Sequence, residues 1–270
     1  MPELPEVETV ARQLAPFVVG REVRSLSILD PRLRAERTPR VAGRTIEQVY
    51  RSGKRVLLEF SAPPRGGRPL ALAVHLRMTG RLLWETDATK SAHDHLRARF
   101  RLDGGELLFA DTRRFGTFHW YASAADALPD GMEPLSPKLT TLKLGQLIGD
   151  SRQNIKSWLL RQDRLVGLGN IYASEILHRA AISPFRPAGS LAKDELKRLH
   201  ASTRQTLRRA IENCGTTFSD FQDAQGVEGS YQQFLAVYDR DGETCRRCGD
   251  SIRRVVQQQR STYHCPGCQV

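Results

Sequence analysis

Hydrophobic side chains recur along the first part of the chain with two different periods. Over residues 4–18 the spacing is helical, with Val7, Val10 and Leu14 on one face, and Gly20 ends the run. Shorter stretches with β-type patterns follow, and they predict strands at Val23–Leu29, Thr45–Tyr50, Arg55–Phe60, Leu70–Leu76, Arg81–Glu85, Leu96–Leu102, Glu106–Phe109 and Thr117–Tyr121. Many short strands at this spacing are typical of a sandwich or barrel.

Turn residues mark the breaks in these patterns. Ser52-Gly53 and Asp103-Gly104-Gly105 separate neighbouring strands as hairpin turns. Residues 129–137 contain prolines and a glycine and form a turn-rich linker. Beyond the linker the period becomes helical, which predicts helices at residues 140–149, 153–162, 170–180 and 191–213. Ser190 is the predicted cap of the last helix.

The change of period predicts an α+β protein with several domains. Residues 1–130 form a β domain that begins with a helix, residues 131–239 form a helical domain, and residues 240–270 form a cysteine-containing module. A chain of 270 residues has room for two domains and a small module, since a domain takes about 100–200 residues.

The charge balance points to the class of partner. The chain has 41 basic and 30 acidic residues, a net charge of +11 and a sequence pI of about 9.8, which favours a polyanion such as nucleic acid. No apolar run approaches the ~18 residues of a membrane span, and the N-terminus lacks the pattern of a signal peptide. We therefore expect a soluble protein of the cytoplasm without a membrane partner.

Four of the five cysteines lie close together near the C-terminus. Their spacing, Cys245-x2-Cys248-x16-Cys265-x2-Cys268, is typical of a tetrahedral zinc site made of four thiolates. Such a closed ligand set predicts one structural Zn²⁺ rather than a catalytic metal. Apolar stretches between the two cysteine pairs predict a β-hairpin with Arg260 near its tip. By itself, this module is equally compatible with a ribosomal protein or a transcription factor.

The first six residues, Met1-Pro2-Glu3-Leu4-Pro5-Glu6, have catalytic potential that depends on processing. Removal of Met1 would leave the Pro2 nitrogen as a free secondary amine, and attack of such an amine on a sugar C1′ gives an iminium ion. Glu3 and Glu6 are carboxylates that can transfer protons. Acidic residues also favour the first turn of any helix, so a purely structural interpretation stays open at this point.

Three further sites carry polar or bulky residues at turns. A tight glycine turn precedes Asn170, where a helix is predicted to begin, and the backbone amides at the start of a helix favour the binding of phosphate. Lys156 lies on the preceding predicted helix and could contact the same DNA strand. Met78 and Phe115 follow predicted strands, where core packing is the simpler interpretation. His93-Asp94-His95 contains too few ligands for a metal site and favours hydrogen bonding.

Together, the segment Pro2–Glu6, the loop Arg113–Gly116, the segment Gly169–Glu175 and the four-cysteine module closely resemble bacterial formamidopyrimidine-DNA glycosylases from end to end. The resemblance implies a β-sandwich with an N-terminal helix, a helix-two-turn-helix domain and a zinc-finger hairpin. It further implies a monomer of the bacterial cytosol that binds damaged double-stranded DNA. Members of the family excise oxidised purines, notably 8-oxoguanine and formamidopyrimidines, and cut the strand by β,δ-elimination.

The resemblance also implies catalytic roles by motif. Pro2 would be the Schiff-base nucleophile, and Glu3 would donate the proton that opens the sugar ring. Lys54 matches a lysine with a role in β-elimination. Arg260 matches the finger arginine described as the donor for δ-elimination, but a guanidinium stays protonated above pH 12. We therefore expect Arg260 to clamp a phosphate and stabilise the leaving group.

DNA-binding roles follow in the same way. His93, Arg113, Lys156 and Asn170 match DNA-contacting positions, and Arg152 or Ser151 stands where a lysine-rich patch is common. Met78, Arg113 and Phe115 resemble the trio that fills the stack after the target base is flipped out. Residues 216–231 correspond to the loop that caps the flipped base. Arg77, in place of a small residue before Met78, departs from the usual pattern.

Two alternative functions remain open. The related endonuclease VIII branch prefers oxidised pyrimidines and typically has glycine where this chain has Leu4. In that branch, the residues that fill the base stack come from one loop. A zinc-finger DNA-binding protein without catalytic activity is the other alternative, and the presence of Pro2, Glu3 and Lys54 argues against it.

Overall fold

The computed structural model of the protein describes residues 1–36, 38–63, 66–86, 93–216 and 229–270. The chain forms two compact units. The first consists of Met1–Leu128 with Asn213–Ser230, and the second consists of Pro129–Glu212 with Tyr231–Val270. Most of the predicted capping loop, residues 217–228, lies outside the described residues.

The first unit is a β-sandwich that packs against one helix. Its elements are α1 (Leu4–Val18), β1 (Val23–Ile28), β2 (Ile46–Ser52), β3 (Arg55–Phe60), β4 (Leu70–His75), β5 (Gly80–Glu85), β6 (Leu96–Leu102), β7 (Gly105–Asp111) and β8 (Thr117–Tyr121). Antiparallel pairing gives two sheets with the strand orders β1-β6-β7-β5 and β2-β3-β4-β8. Apolar side chains of α1 and of both sheets share one core, as Val10, Leu58 and Phe100 illustrate. The predicted sandwich is confirmed.

The hairpin predicted between β2 and β3 is present, but its turn lies one residue later than the predicted Ser52-Gly53. Ser52 pairs with Arg55, so Gly53 and Lys54 make the turn. Gly53 has φ +60°, in the left-handed region that glycine adopts without steric cost. The turn therefore places Lys54 at the tip of this hairpin.

The second unit contains the helices and the finger hairpin. Its elements are α2 (Thr141–Ile148), α3 (Ile155–Leu159), α4 (Asn170–Ala180), α5 (Lys193–Glu212), β9 (Arg253–Gln257) and β10 (Arg260–His264). The start of α4 at Asn170 is as predicted. Glu175 on α4 accepts hydrogen bonds from the backbone N–H groups of Ala236, Val237 and Tyr238 at 2.8–2.9 Å. This carboxylate therefore fixes the segment that leads into the finger.

Two predicted helix boundaries in this unit are wrong. Helix α3 spans Ile155–Leu159 instead of residues 153–162, and on its N-terminal side Asn154 bridges to Pro187 before the helix begins. The Ser190 hydroxyl donates to the Pro187 carbonyl at 2.8 Å and does not cap α5. Instead, Glu195 accepts a hydrogen bond from the Ala192 N–H at 2.8 Å.

The finger hairpin turns tightly beside Arg260. Gln257 pairs with Arg260, and the turn residues Gln258 and Gln259 have φ values of +47° and +60°. Positive φ at both central positions is the geometry of a type I′ turn. Arg260 is therefore the first residue of β10 and is exposed next to the tip. Among the described residues, no helix combines the length and apolar character that a membrane crossing requires.

Candidate active site and metal centre

The N-terminal residues are buried where α1 begins. Pro2 is buried, and Glu3 and Glu6 are only 3% and 1% exposed. The Glu3 backbone N–H donates to Glu6 Oε2 at 2.8 Å, within a capping box at the start of the helix. The structure therefore holds the Glu3 carboxylate at a fixed place beside Pro2 in the chain.

Glu6 anchors a distant segment as well. Its Oε1 accepts a hydrogen bond from the Thr216 backbone N–H at 2.7 Å, across 210 residues of sequence. Gly215 has φ +77°, and a Cβ at this position would lie 2.6 Å from Glu6 Oε1. A larger residue than glycine would therefore disturb this contact. Sequence patterns did not indicate the partnership, because nothing local relates the two segments.

The turn that carries Lys54 is tied to α1 by an arginine. Arg51 Nε donates to Glu8 Oε2 at 2.8 Å, and the same guanidinium donates to the Gly53 carbonyl at 3.1 Å.

Burial, with smaller contributions from Arg77, Lys54 and other neighbouring cations, lowers the pKa of His75 to about 3. His75 is therefore neutral at pH 7, and its Nδ1 accepts the Arg77 backbone N–H at 3.0 Å.

The side chains of the predicted stack-filling trio lie at the surface. Met78 is 40% exposed and Phe115 is 48% exposed, which excludes core packing as the reason for these large apolar residues. Arg113 Cζ lies 4.7 Å from the centroid of the Phe115 ring, within the range of a cation–π contact. The two loops thus present apolar and cationic groups that are available to a partner.

A buried aspartate, which the sequence patterns did not single out, joins these two loops. The Asp111 carboxylate accepts hydrogen bonds from the backbone N–H groups of Gly116 at 2.7 Å and Arg113 at 3.2 Å, and from the Thr79 hydroxyl. The Thr79 oxygen in turn accepts the Arg113 N–H at 3.0 Å. Because Thr79 follows Met78 directly, this network fixes the Met78 loop relative to the Phe115 loop.

A second aspartate holds the Phe115 loop through an ion pair. Arg114, with φ +57°, donates through two nitrogens to the Asp30 carboxylate at 2.7 and 2.8 Å. The hydrogen bond from Arg114 lowers the pKa of the buried Asp30 to about 2. Arg114 therefore points back to the sandwich, while its neighbours Arg113 and Phe115 remain at the surface.

Replacement of Asp111 by asparagine is expected to loosen both loops. An amide cannot accept all three hydrogen bonds with its single oxygen, and bonds to a charged group contribute about 1.5–3 kcal/mol each. We expect Asp111→Asn to lower the free energy of unfolding by about that amount, measured by urea denaturation. Glu47→Gln, which removes an exposed charge on β2, serves as the control. Equal stability of the two variants would contradict the anchoring role.

His93 contacts a carboxylate in the same unit. Its Nε2 pairs with Glu85 at the end of β5. This contact confirms the interpretation of His93 as a hydrogen-bonding residue. Its predicted contact with DNA stays a prediction.

In the second unit, the two predicted phosphate ligands contact the finger hairpin. Lys156 is 1% exposed, and its Nζ donates to the Ser261 carbonyl at 2.8 Å and to Thr262 Oγ1 at 2.7 Å. Asn170 Nδ2 donates to the same Ser261 carbonyl at 2.9 Å. Both side chains thus connect the helices to β10, a role that the sequence patterns did not indicate. Arg152 is exposed and contributes positive charge at the surface.

Truncation of Lys156 is expected to weaken the attachment of the hairpin. Lys156→Ala leaves the Ser261 and Thr262 oxygens without the buried ammonium, so we expect a loss of about 1.5–3 kcal/mol in the free energy of unfolding. The salt dependence of duplex binding tests the predicted phosphate contact separately, because loss of one contact makes the slope shallower by about 0.9. Lys143→Ala, on α2, is the control. Unchanged stability would exclude the hairpin role.

The four finger cysteines form a compact cluster. Their Sγ atoms all lie within 4.8 Å of one another, and the pairs Cys245–Cys268 and Cys248–Cys265 are 3.8 and 3.4 Å apart. Four thiolates around Zn²⁺ at ~2.3 Å have sulfur–sulfur distances of about 3.8 Å, so the residues fit this ion. His178 Nε2 lies 3.5 Å from Cys245 Sγ, where it can orient the ligand from outside.

Comparison with known protein families gives matches to three segments of the chain. Three family models match in order: the N-terminal domain of formamidopyrimidine-DNA glycosylase at residues 1–118, the H2TH domain of the same proteins at residues 131–222, and a zinc finger found in FPG and IleRS at residues 242–270. The fold and the four-cysteine site therefore define a DNA-repair glycosylase with one structural zinc ion.

Similar proteins cover the full length. The formamidopyrimidine-DNA glycosylase of Symbiobacterium thermophilum is 43% identical, over 100% of this chain and 89% of that protein, and the one of Chloroflexus aurantiacus is 41% identical, over 100% and 98%. The crystal structure of the MutM (Fpg) protein from Thermus thermophilus matches with a TM-score of 0.87 at 38% identity, over 99% of this chain and 98% of that one. The chain belongs to the formamidopyrimidine-DNA glycosylase family.

Proposed function

We propose that the protein is a bifunctional DNA glycosylase and AP lyase that removes 8-oxoguanine and formamidopyrimidines from duplex DNA and nicks the strand by β,δ-elimination. The buried Pro2–Glu3 start of α1 carries this proposal, because it unites a potential amine nucleophile with a carboxylate. A relative supports the proposal: the structure of the Lactococcus lactis Fpg was determined in complex with DNA that contains an abasic site. That protein is 32% identical to this chain, and its structure matches with a TM-score of 0.87 over 99% of both chains.

The proposed reaction begins with attack of the free Pro2 amine on C1′ of the damaged nucleotide. The base leaves with the electrons of the glycosidic bond, and protonation of the ring oxygen by Glu3 opens the sugar to an iminium ion. The iminium withdraws electrons, so that a C2′ proton is lost and the C3′–O bond breaks. Lys54 assists this β-elimination. A second elimination removes the C4′ proton and breaks the C5′–O bond, so that the remaining phosphate leaves with the electrons of that bond.

DNA contacts are assigned to cationic and polar residues in both units. His93, Arg113, Arg152, Lys156 and Asn170 bind the DNA, and Arg260 clamps a phosphate of the leaving group. Met78, Arg113 and Phe115 fill the space that the flipped base vacates. Exposure of Met78 and Phe115 supports this role, since an apolar wedge has to be accessible to the base stack.

Oxidised purines are the proposed substrates rather than oxidised pyrimidines. Leu4 occupies the position at which the endonuclease VIII branch typically has glycine, and the trio comes from two loops instead of one. A Lactococcus lactis Fpg structure contains DNA with Fapy-dG, and another contains DNA with an oxidised pyrimidine. We further propose that the protein acts as a monomer in the bacterial cytosol.

Borohydride trapping tests the nucleophile and the substrate in one experiment. Reduction of the iminium on duplexes with 8-oxoguanine should give a covalent adduct, and peptide mapping should place the DNA on Pro2 of a chain that lacks Met1. A thymine glycol duplex, run in parallel, should give much less adduct. An adduct on a lysine, or an active protein that retains Met1, would contradict the Pro2 assignment. Preferential trapping on thymine glycol would favour the pyrimidine-specific alternative.

A further inference from the structure

Strand β1 lies at the edge of its sheet and pairs with β6. In an antiparallel pair, successive residues turn their backbone groups alternately toward the neighbouring strand and away from it. Leu29, just after β1, donates its N–H to the Arg97 carbonyl of β6 at 2.8 Å. The alternation therefore turns the backbone groups of Leu26 and Ile28 away from β6, toward the open edge of the sheet.

Backbone pairing on this open edge begins and then stops. At the start of β1, the Val23 N–H donates to the Arg44 carbonyl, and the Val23 carbonyl accepts the Gly43 N–H, both at 2.8 Å. Leu26 faces the same side, and in the described part of the chain its backbone has no hydrogen-bond partner there. The edge is therefore paired at one end and leaves room for further strand pairing along the rest of β1.

An open groove of about 480 Å³ lies beside this edge, between β1 and residues 38–42. Leu26, Ile28 and Val41 are among its lining residues, and the side chains of all three belong to or pack against the core of the sandwich. The volume is within the range of about 300–1,000 Å³ that is typical of ligand-binding clefts. An apolar floor beside a strand edge suits an extended peptide, whose backbone pairs with the edge while alternate side chains contact the floor.

Two exposed arginines, Arg34 and Arg40, line the groove and give it positive charge. Arg34 Nη2 donates to the Ile28 carbonyl at 3.4 Å, which is an uncharged partner. Within the described ranges, no carboxylate lines the groove, and neither guanidinium forms an ion pair. Glu36, which lies between the two arginines in sequence, is exposed and is not a lining residue. Charge complementarity therefore favours an acidic ligand.

We propose that this β1 groove (β1, Arg34 and residues 38–42) is a docking site for an extended acidic segment of a partner protein, which joins the sheet as a strand beside β1. A second copy of this chain is disfavoured by its net charge of +11. The backbone of duplex DNA offers phosphate acceptors but no donor for the Leu26 carbonyl, so a peptide fits the edge better. The proposal does not depend on the glycosylase reaction.

Fluorescence anisotropy with two labelled decapeptides tests the charge preference on the zinc-loaded full chain. One peptide alternates aspartate with valine, the other alternates lysine with valine, and both have blocked termini. The acidic peptide should bind saturably and the basic one should not. The double variant Arg34→Gln/Arg40→Gln should weaken binding of the acidic peptide at least about tenfold. Arg32→Gln, at an exposed position that does not line the groove, should leave it unchanged.

Hydrogen exchange at single residues tests the strand pairing itself. Saturating acidic peptide should slow exchange of the Leu26 and Ile28 amides, whereas the Ser27 amide, which faces β6, should change little. No saturable binding of the acidic peptide, equal binding of the two peptides, equal affinity in the double variant, or unchanged exchange at Leu26 and Ile28 would each overturn the proposal. Displacement of the peptide by an undamaged duplex that protects neither amide would assign the arginines to DNA and would overturn it as well.

Discussion

Replacement of Glu3 by glutamine is expected to slow the excision of 8-oxoguanine by about 10²–10⁴-fold, the usual contribution of a general acid. The amide keeps the shape of the side chain but removes the proton that opens the deoxyribose ring. Cleavage at a preformed abasic site should fall much less, because no base has to be expelled and part of the sugar is already the open aldehyde. Single-turnover rates on the two substrates give the comparison directly.

The structure makes this comparison informative. Glu3 is buried in a capping box with Glu6, so its substitution can also affect the start of α1. A structural defect would slow both substrates equally, whereas loss of the acid slows excision selectively. Glu22→Gln, at an exposed position just before β1, is the matched control and should leave both rates unchanged. Equal losses on both substrates in Glu3→Gln would transfer the acid role to Glu6 or to water.

Loss of the zinc ion is expected to weaken binding to any duplex. Cys248→Ser removes one of four thiolates from a closed site, and structural zinc contributes about 10–16 kcal/mol to folding in zinc-finger peptides. The hairpin that carries Arg260 should then lose its fixed geometry. We expect the zinc content to fall from one ion per chain to nearly none and the affinity for undamaged duplex to fall at least about tenfold.

The fifth cysteine provides the control for this prediction. Cys214 lies in the first unit, outside the four-cysteine cluster, so Cys214→Ser should retain zinc and bind DNA normally. The sandwich has its own core and should remain folded in Cys248→Ser, as limited proteolysis with mass mapping can establish. Normal cutting of damaged DNA by zinc-free Cys248→Ser would mean that the finger is dispensable.

The sequence by itself determined the order of the elements and the metal ligands. Periods of two and 3.6 residues reflect which face of a strand or helix is buried, so the sandwich strands and α4 were predictable from local pattern. The Cys-x2-Cys pairs were equally local, because two ligands three residues apart on one turn reach the same ion. The Ser52–Arg55 hairpin followed from a glycine between two strands.

Only the tertiary structure decided how the candidate site is held together. In the first unit, Glu6 accepts a hydrogen bond from Thr216 across 210 residues, a contact that links Asn213–Ser230 to the N-terminal part of the same unit. In the second unit, Lys156 donates to Ser261 across 105 residues. Asp111 accepts hydrogen bonds from Thr79, 32 residues earlier in the chain, and from Arg113, and it thereby connects the Met78 loop to the Phe115 loop. Periodicity reports burial along one element and carries no information about which distant polar group satisfies a buried charge. Those partners are fixed by the folded chain, since each buried polar group has to find one.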